Sequence, residues 1–569
     1  MRVGCFSDKG RKARNQDYCD HRTPLGPALA NRGTALALAD GISTSAVSEH
    51  ASRAAVENFL ADFFRSPESW SIETAGIKAL SAINARLYGQ SQRSEHRFDR
   101  DRGYVCTFTA LIAANDGVHI FHVGDARVYR LRGNRIETIT REHRTRSEDG
   151  QLYLQRALGV RPDIKTDYHQ LDILPGDRFV LATDGVHEHL TDDRIRAILD
   201  THAHDPEAAA RQMVEDARDN ASLDNLTAQV ITVQGPPEDT DSDVIGPAPD
   251  VRALPPSVAP RDHFDGYTIL RELYTSARSR VYLATDDDTG QQVALKLPSQ
   301  SVRDDTRHLE RLMLEEWIAR RIDNAHVLKA PDLQRPRQYV YSVTEYVEGR
   351  TLRQWMIDHP TPDLETVREL IEQIARGLQA FHRLEMLHQD LRPENVLIDR
   401  SGTARIIDFG ATRVAGLTDL PDADNNLTVL GTAQYTAPEY FLGEFGTARS
   451  DQFSLAVITY ELLSARLPYG TTVARAQTRS AQRKLTYRSV LDDERVIPAW
   501  IDFTLRKALN PDPMQRYDTL SEFVHDLRHP NQSFLNQTRP PLLERNPVRF
   551  WQGVSLLLFL TVLALLIRH

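Results

Sequence analysis

Four aspartates stand where strand-like runs of the first 235 residues end. They are Asp17 in RNQD, Asp40 in ALALADG, Asp184 in FVLATDG and Asp224 in SLDNLTAQV. Two of them are followed directly by glycine, which leaves the backbone open to the close approach of a ligand. Carboxylates that converge from the ends of neighbouring strands can hold Mg²⁺ or Mn²⁺, and such a centre makes a bound water nucleophilic. Each Asp-Gly pair taken alone also fits a plain turn.

A second set of residues whose types could take part in a reaction follows residue 264. Lys296 ends the alternating run VALK, Asp390 and Asn395 lie in HQDLRPEN, and Asp408 begins DFG. Transfer of a phosphoryl group from a nucleoside triphosphate needs cations and carboxylate-held metal rather than covalent chemistry by the protein. DFG alone carries little information, but HQDLRPEN, DFG and APE in series are specific.

Strand-like and amphipathic helical runs must position these residues. Before residue 235, strand-like TALALAD and RFVLATD alternate with helical AVSEHASRAAVENFLADFF, and after residue 264 short strands precede long helical stretches. The sequence therefore predicts an α+β chain of several domains. The predicted boundaries are 1–235 for the first domain, 236–263 for a proline-rich acidic linker, 264–530 for the second domain, 531–549 for a second linker and 550–567 for an apolar segment.

The composition limits the kinds of partner and the cellular compartment that we expect. The chain carries 69 Lys+Arg against 79 Asp+Glu, a formal charge of −10, which argues against nucleic acid as the main partner. The hydrophobic fraction of 41% and the charged fraction of 26% are typical of globular proteins. The three cysteines lack paired metal-ligand spacing, so we expect no disulfide framework and favour a reducing compartment.

The segment 550–567, FWQGVSLLLFLTVLALLI, contains no charged residue. As a helix it would be about 27 Å long, close to the thickness of a bilayer core. Arg545 and Arg549 precede it, and the N-terminus has no apolar leader. We interpret the segment as a transmembrane helix, a single-pass tail anchor in the cell inner membrane that leaves the catalytic domains in the cytoplasm. A buried core helix or an amphipathic partner helix is the alternative.

The order of motifs in the first domain carries a resemblance to a known family. SDKG and RNQD, then ALADG, HVGDAR, TREH, QRALG, LATDGVHEHL and DNLTAQV occur in one series over most of residues 1–233. This series resembles the metal-dependent PPM-type serine/threonine phosphatases. The resemblance implies an α-β-β-α sandwich with a dinuclear Mg²⁺/Mn²⁺ centre in a cleft. The ligands it implies are Asp17, Asp40, the Gly41 carbonyl, Asp184 and Asp224, with Asp125 helping to hold a third metal.

Two roles in the phosphatase site stay open at this point. In the family an arginine of the first motif binds the substrate phosphate, and here Arg14 or Arg11 would serve. The general acid is unassigned, because His143 and His187 are interpreted as structural residues.

The motifs from Phe264 to about residue 528 resemble a eukaryotic-like (Hanks-type) protein kinase, so the whole chain is similar to a bacterial bifunctional phosphatase–kinase. The resemblance implies a bilobal fold that uses ATP with Mg²⁺. The roles it implies are Lys296 on the nucleotide phosphates, Glu345 and Val347 at the adenine hinge, Asp390 as base, Arg392 near the transferred phosphate, and Asn395 and Asp408 on the metal. Glu315 is the best-spaced partner for Lys296, with Glu316 as the alternative. Glu439 of APE is expected to pair with Arg516.

Two positions depart from the kinase pattern. The glycine-rich phosphate loop is replaced by Tyr274, Ser276 and Ser279, which removes the easy approach of backbone N–H groups to phosphate. Gln389 replaces the arginine that commonly receives a phosphate of the activation loop, so switching by that route is not expected. Thr412, Thr418, Thr428 and Thr432 could be phosphorylated or be plain loop residues.

The leading hypothesis is a membrane-anchored enzyme that both phosphorylates and dephosphorylates protein serine and threonine. The alternative is an active phosphatase regulated by a weak or inactive kinase-like domain, and a third hypothesis is a non-enzymatic membrane adaptor. The expected partners are ATP, protein substrates and phosphoproteins. They include the chain's own kinase domain, because a covalent linker gives an effective concentration of about millimolar.

Overall fold

The computed structural model describes residues 1–146, 152–234, 253–302, 305–331, 337–417, 433–491, 496–537, 551–558 and 560. These residues divide into two compact units. The first is drawn from Met1–Arg350, Gly377–Gln389 and Asn395–Asp424, and the second from Thr351–Arg376, Asp390–Glu394 and Asn425–His569.

The N-terminal part of the first unit contains two five-stranded sheets. Its strands are β1 (Arg2–Asp8), β2 (Asp17–Arg22), β3 (Thr34–Asp40), β4 (Phe108–Ala114), β5 (Gly117–Val123), β6 (Arg127–Arg132), β7 (Arg135–Thr138), β8 (Arg144–Arg146), β9 (Leu152–Leu154), β10 (Asp167–Leu171), β11 (Arg178–Ala182) and β12 (Leu226–Thr232). One sheet has the order β1-β12-β11-β6-β7, the other β10-β5-β4-β3-β2, and β8 pairs with β9. The helices are α1 (Pro27–Arg32), α2 (Ser48–Phe64), α3 (Ile72–Arg93), α4 (Asp184–His187), α5 (Asp192–Thr201) and α6 (Pro206–Asp219).

The two sheets pack face to face around an apolar core. Leu36 and Leu111 of one sheet meet Val128, Phe179 and Ile231 of the other, and all five are fully buried. Helices α4, α5 and α6 cover one outer face, while α2 and α3 cover the other. Strands β4 and β5 are buried along their whole length, because both of their faces are covered. The predicted α-β-β-α sandwich is therefore present.

Side-chain caps define where three of these helices begin. Ser71 accepts a hydrogen bond from the backbone N–H of Thr74 at the start of α3. Thr191 caps α5 in the same way, and Asp205 caps α6 directly before a proline. A cap of this kind stabilises a helix by about 1 kcal/mol, since it satisfies an N–H that the helix leaves free.

The rest of the first unit begins with a five-stranded antiparallel sheet of order β13-β14-β15-β16-β17. Its elements are β13 (His263–Phe264), β14 (Tyr267–Thr275), β15 (Ser279–Asp286), β16 (Gln292–Pro298), α7 (Thr306–Arg321) and β17 (Ser342–Glu345). Short strands follow: β18 (Gly349–Thr351), β19 (Met386–Leu387), β20 (Val396–Asp399), β21 (Ala404–Ile406) and β22 (Arg413–Val414). The sheet buries Tyr267, Leu295 and Val343 in one core.

The second unit is helical. Its elements are α8 (Leu352–Asp358), the first half of α9 (Leu364–Arg383), α10 (Ala448–Ser464), α11 (Arg479–Gln482), α12 (Ala499–Ala508), α13 (Leu520–Arg528) and α14 (Gln532–Gln537). Helix α10 is buried on nearly every side, as expected for the central helix of a helical domain. Helix α14 lies in the stretch 531–549, which the sequence analysis expected to be an irregular linker.

The prediction of a transmembrane helix over 550–567, and of inner-membrane anchoring through it, is wrong. No helix among the described residues is both long enough and apolar enough to cross a bilayer. Of the predicted span, the described residues are 551–558 and 560, and they are helical and mostly exposed. The other residues of the span lie outside the described part of the chain, as do 236–252 of the proline-rich linker.

Cys5 of β1 and Cys19 of β2 form a disulfide between the two sheets, with Cα atoms 7.2 Å apart. The sequence analysis expected no disulfide framework, because the chain has only three cysteines and they lack paired spacing. Cys106 is free and buried.

Candidate active sites

The aspartates of the phosphatase-like domain gather where strands of both sheets end. Asp17 and Asp40 lie directly opposite each other in the antiparallel register of β2 and β3. Asp17 Oδ2 accepts hydrogen bonds from the hydroxyls of Thr183, at 3.0 Å, and Thr227, at 2.7 Å. Thr227 lies in β12 of the other sheet, and Thr183 directly follows β11 of that sheet. Asp184 comes next, as the first residue of α4. The carboxylates therefore meet across the sandwich.

Burial and mutual repulsion raise the pKa values of the carboxyl groups in this cluster. Burial raises the pKa of Asp17 to about 6, and the nearby carboxylate of Asp184 adds to the rise. Burial, together with Asp17 and Asp184, raises the pKa of Asp40 well above its usual value. Asp17 Oδ1 is buried and has no hydrogen-bond partner. Clustered carboxylates with an unpartnered buried oxygen are a donor set that suits a hard divalent cation.

Two basic side chains that the sequence analysis did not single out reach these carboxylates. The Arg144 guanidinium lies 2.7 Å from Asp125 Oδ2 and 2.5 Å from Asp184 Oδ2, and it also pairs with Glu188. Lys12 pairs with Asp224 and donates to the Ser43 hydroxyl at 2.7 Å. The signals that could have indicated them are the basic run KGRKAR and the position of Arg144 directly after TREH.

The geometry does not by itself form a metal-binding shell. Among the described residues, no three histidine, cysteine, aspartate or glutamate side chains converge as ligands of one ion. Arg14, expected to bind phosphate, is exposed, and so is Arg11. The Arg14 backbone carbonyl accepts a hydrogen bond from Asn225 Nδ2 at 2.9 Å. The cation that approaches the aspartates from this loop is Lys12.

Two glycines let the backbone close around the cluster. A side chain at Gly41 would lie 2.8 Å from the backbone oxygen of Gln16, and Gly41 N–H donates to that oxygen at 3.1 Å. A side chain at Gly185 would lie 2.0 Å from the Asn225 oxygen. The glycines that follow Asp40 and Asp184 are therefore required by the close approach of neighbouring backbone, rather than by a turn with positive φ.

The two histidines interpreted as structural are bonded into the domain. His143 Nδ1 accepts the N–H of Gly124 at 3.0 Å, and its Nε2 lies 3.0 Å from Asp167 Oδ2. His187 Nε2 lies 3.0 Å from the backbone oxygen of Asp125. Burial, with the charge of Arg127 adding to it, lowers the pKa of His187 to about 4, which keeps its ring neutral.

The kinase-like domain brings Lys296, Glu315 and Asp408 together. Lys296 Nζ lies 2.8 Å and 3.0 Å from the two Glu315 oxygens and 3.5 Å from Asp408 Oδ1. Burial disfavours the ammonium, but the two carboxylates outweigh it and raise the pKa of Lys296. The lysine is therefore held charged beside a carboxylate that can bind metal.

The structure distinguishes the two adjacent glutamates of α7. Glu316 points away from the lysine and forms a buried ion pair with Arg337, whose nitrogens lie 2.7 Å and 2.8 Å from the carboxylate. Burial favours a protonated Glu316, but Arg337 and Arg320 prevail and lower its pKa. Glu315 is the partner of Lys296, and Glu316 also accepts the N–H of Val343 in β17 at 3.3 Å.

The remaining predicted kinase residues lie on both units. In the first unit, Glu345 Oε1 accepts from the Lys329 N–H at 3.0 Å and from Arg405 at 3.1 Å, and Val347 is half-buried. The Asn395 carbonyl accepts the N–H of Ile407 at 3.0 Å. In the second unit, Asp390 and Arg392 lie in the segment 390–394, where Arg392 Nε donates to Glu394 Oε2 at 2.7 Å.

The loop that replaces the glycine-rich sequence closes on itself. The Ser276 hydroxyl accepts the N–H groups of Ser279, at 3.0 Å, and Arg278, at 3.3 Å. The hydroxyls of Ser299 and Ser301 both donate to the Ala277 carbonyl at 2.8 Å. The backbone donors that would face a phosphate in a glycine-rich loop are thus engaged by a side chain, and the turn is tied to the segment after β16.

Two further positions concern the activation loop. Gln389 adopts a left-handed backbone with φ 66°, and Thr412 is buried. Thr418, Thr428 and Thr432 lie outside the described residues.

Comparison with known proteins identifies both domains. Residues 7–226 match the protein phosphatase 2C family, and residues 267–528 match the protein kinase domain. The chain therefore joins a domain of the protein phosphatase 2C family to a protein kinase domain, which confirms the resemblance drawn from the motifs.

Curated relatives match the kinase half. The serine/threonine-protein kinase PrkC of Bacillus subtilis is 28% identical over 270 residues, which are 46% of this chain and 40% of PrkC. PknA of Corynebacterium glutamicum is 33% identical over 196 residues, 34% of this chain and 41% of PknA. PknL of Mycobacterium tuberculosis is 30% identical over 203 residues, 36% of this chain and 50% of PknL. The chain thus spans no more than half the length of these relatives.

Solved structures match each half separately. PppA, described as a regulatory component of T6SS in Pseudomonas aeruginosa, is 25% identical and covers 41% of this chain and 96% of its own, with a TM-score of 0.34. The PPM phosphatase MsPP of Mycobacterium smegmatis gives the same identity and TM-score and covers 98% of its own chain. The PknI kinase domain of Mycobacterium tuberculosis is 24% identical, covers 48% of this chain and 98% of its own, and has a TM-score of 0.36.

Proposed function

We propose that this chain is a bifunctional enzyme that phosphorylates serine and threonine of proteins with Mg-ATP and hydrolyses the resulting phosphoesters. The observation that carries the phosphatase activity is the buried carboxylate cluster, whose pKa values are raised and whose Asp17 oxygen is unpartnered. The observation that carries the kinase activity is the contact of Lys296 with Glu315 and Asp408.

In the phosphatase reaction, Asp17, Asp40, Asp184 and Asp224 would hold Mg²⁺ or Mn²⁺, with the Gly41 carbonyl, and Asp125 would serve a third ion. The metal centre supplies a nucleophilic water at neutral pH. The hydroxyls of Thr183 and Thr227 donate to Asp17, which orients its carboxylate and opposes part of the rise in its pKa. Lys12, at the edge of the cluster, is placed to attract a phosphate, and it joins Arg14 and Arg11 as a candidate for that role.

In the kinase reaction, Lys296 neutralises charge on the nucleotide phosphates, and Glu315 keeps its ammonium in place. Asp408 and Asn395 would hold Mg²⁺, which neutralises charge on the phosphates. Asp390 orients the substrate hydroxyl, and Arg392 adds positive charge near the transferred group. Glu345 and Val347 would receive the adenine.

The phosphatase test uses the full chain with Mn²⁺ and a phosphothreonine peptide. We expect Asp17→Ala and Asp184→Ala to lower hydrolysis by at least about 100-fold, because each removes a proposed ligand of the ion that activates water. The removal of Mn²⁺ with a chelator should have the same effect. Undiminished hydrolysis in both variants would contradict the proposed metal site.

The kinase test uses the Asp17→Ala chain, so that the phosphatase cannot erase the product. We expect Mg-ATP-dependent autophosphorylation that Asp390→Ala abolishes. First-order dephosphorylation, independent of protein concentration, is expected when the phosphatase is intact, because the proposed substrate is the kinase domain of the same chain.

One observation favours the second candidate, a phosphatase regulated by an inactive kinase-like domain. Ser276 engages the N–H groups of Arg278 and Ser279, which a phosphate would otherwise bind. An Asp17→Ala chain that binds Mg-ATP but incorporates no phosphate, while Asp390→Ala still hydrolyses phosphopeptide, would favour this candidate.

A further inference from the structure

The kinase helix α7 packs against the phosphatase-like domain within the first unit. Trp317 of α7 is fully buried, and its Nε1 donates a hydrogen bond to the backbone oxygen of Asp62 at 3.1 Å. The Trp317 ring lies 5.4 Å, centroid to centroid, from the ring of Trp70, which connects α2 to α3. The ammonium of Lys78, in α3, lies over the Trp70 ring, 4.6 Å from its centroid.

A buried ion pair lies beside the tryptophans. Arg321 Nε and Nη2 lie 3.0 Å and 2.9 Å from the two carboxylate oxygens of Asp62, and both side chains are at most 6% exposed. The Arg321 guanidinium also stacks on the Trp317 ring at 4.3 Å. A hydrogen-bonded ion pair shielded from water holds its two side chains together more firmly than an exposed pair does.

The same phosphatase helices reach two more regions of the kinase domain. Arg93 of α3 forms an ion pair with Glu385, in the turn before the catalytic motif HQDLRPEN. Gly416, six residues after DFG, lies so close to α3 that a side chain there would be 2.5 Å from the Ser81 oxygen. The phosphatase helices α2 and α3 and their connection therefore contact three regions of the kinase domain: α7, the turn at 385 and the segment that follows DFG.

The contacts lie on the side of α7 opposite its catalytic glutamate. Trp317 and Arg321 are four residues apart and share one face, while Glu315 precedes Trp317 by two residues, a rotation of about 200°. Glu315 points to Lys296, 2.8 Å away. A rotation or withdrawal of α7 that broke the contact with Asp62 would therefore also move Glu315 from the lysine.

We propose that Asp62 and Trp70 of the phosphatase domain are positioning residues for the kinase reaction: they hold α7, through Arg321 and Trp317, where Glu315 pairs with Lys296. The proposal rests on the proposed kinase activity. Phosphoryl transfer requires the Lys296–Glu315 pair to be formed, so the docked phosphatase domain acts as a built-in activating surface for α7. Neither residue belongs to the carboxylate cluster of the phosphatase, so this role is separate from phosphate hydrolysis.

The test measures autophosphorylation of the full Asp17→Ala chain at varied Mg-ATP. Asp62→Arg and Arg321→Asp, introduced singly, should each lower the rate at saturating Mg-ATP by at least about tenfold, because each places like charges in the buried contact. The double variant Asp62→Arg/Arg321→Asp restores an opposite pair and should recover most of the rate. Asp193→Ala, which removes an exposed carboxylate of α5, is the matched control and should leave the rate unchanged.

A second measurement separates positioning from loss of fold. Hydrogen exchange of residues 306–321 should accelerate in each single variant and return in the double variant, while the sheet β13–β17 stays protected. Single variants with native rates, or a double variant no faster than the singles, would overturn the proposal. A parent chain that does not autophosphorylate would instead defeat the proposed kinase function, and the exchange of α7 would still test the docking.

Discussion

The guanidinium of Arg516 is fully buried and donates two hydrogen bonds to Glu439, at 2.7 Å and 2.8 Å. This pair, predicted from the sequence, joins the APE motif to the segment before α13. We expect Arg516→Ala to destabilise the second unit by about 3–5 kcal/mol, because Glu439 is then a buried charge without a cationic partner. Thermal unfolding followed by circular dichroism measures the change. Arg479→Ala, which removes an exposed ion pair with Glu444, should leave the unfolding midpoint nearly unchanged.

Adjacent glutamates of α7 should respond differently to the same substitution. Glu315→Gln removes the carboxylate that holds Lys296, and we expect a fall in autophosphorylation of about 100-fold with little loss of stability. Glu316→Gln leaves Arg337 buried beside an uncharged amide, so the protein should lose several kcal/mol of stability. Its rate per folded molecule should be affected less than that of Glu315→Gln. Equal rate losses at matched folded fractions would contradict these assignments.

Ser276→Gly should increase the affinity for Mg-ATP. The substitution removes the hydroxyl that occupies the N–H groups of Arg278 and Ser279. We expect the dissociation constant of Mg-ATP to fall about fivefold, the equivalent of one hydrogen bond gained. Calorimetric titration of the full chain measures it, with Ser401→Ala in an exposed turn as control. Unchanged or weaker binding would show that these N–H groups do not meet the phosphates.

Arg144→Ala should increase the affinity for Mn²⁺. The guanidinium pairs with Asp125 and Asp184, so it competes with a metal ion for the same carboxylates. We expect at least about tenfold tighter binding by calorimetric titration, since a fixed positive charge a few ångströms away is removed. Arg156→Ala, which removes a cation paired with Asp167, is the matched control. Weaker Mn²⁺ binding in Arg144→Ala would assign the arginine to support of the site.

The phosphatase domain should lose stability in acid through His122. Burial, with the charge of His143 adding to it, lowers the pKa of His122 to about 4. The unfolded state binds more protons than the folded state between about pH 6.5 and pH 4, so the free energy of unfolding falls as the pH falls through this window. The loss reaches about 3 kcal/mol at most. His122→Gln should therefore show a shallower pH dependence of the unfolding midpoint, whereas exposed His21→Gln should follow the native protein.

The sequence predicted the parts of the sites that lie within single motifs. Asp40 ends β3 as expected, whereas Asp17, also expected at the end of a strand, begins β2 directly opposite it. The spacing favoured Glu315 over Glu316 but left both open, because neighbouring helical residues point about 100° apart and only the position of the lysine decides. The contacts of Lys12 and Arg144 depend on loops that fold over the cluster, and a loop's path has no periodic signal in sequence.

The prediction of an anchor failed for a related reason. Hydropathy reports which residues avoid water, whereas no helix within the described part of the chain is long and apolar enough to cross a bilayer. The sequence likewise did not predict the disulfide between β1 and β2, since its formation depends on how two sheets stack. The docking of Trp317 on Trp70 joins residues almost 250 positions apart in different domains, where no motif spans the pair.

The complete burial of Trp317 has a consequence for how this chain can be divided or can diverge. A kinase domain excised at residue 264 would expose an indole ring and an arginine whose carboxylate partner stays behind on the phosphatase. The stability and activity measured on this fragment would therefore differ from those of the kinase domain in the full chain. Substitutions at Asp62 and Trp70 are therefore constrained by the packing of one domain and the docking of the other. Exchange of either domain for a homologue would require the matching surface to be transplanted with it.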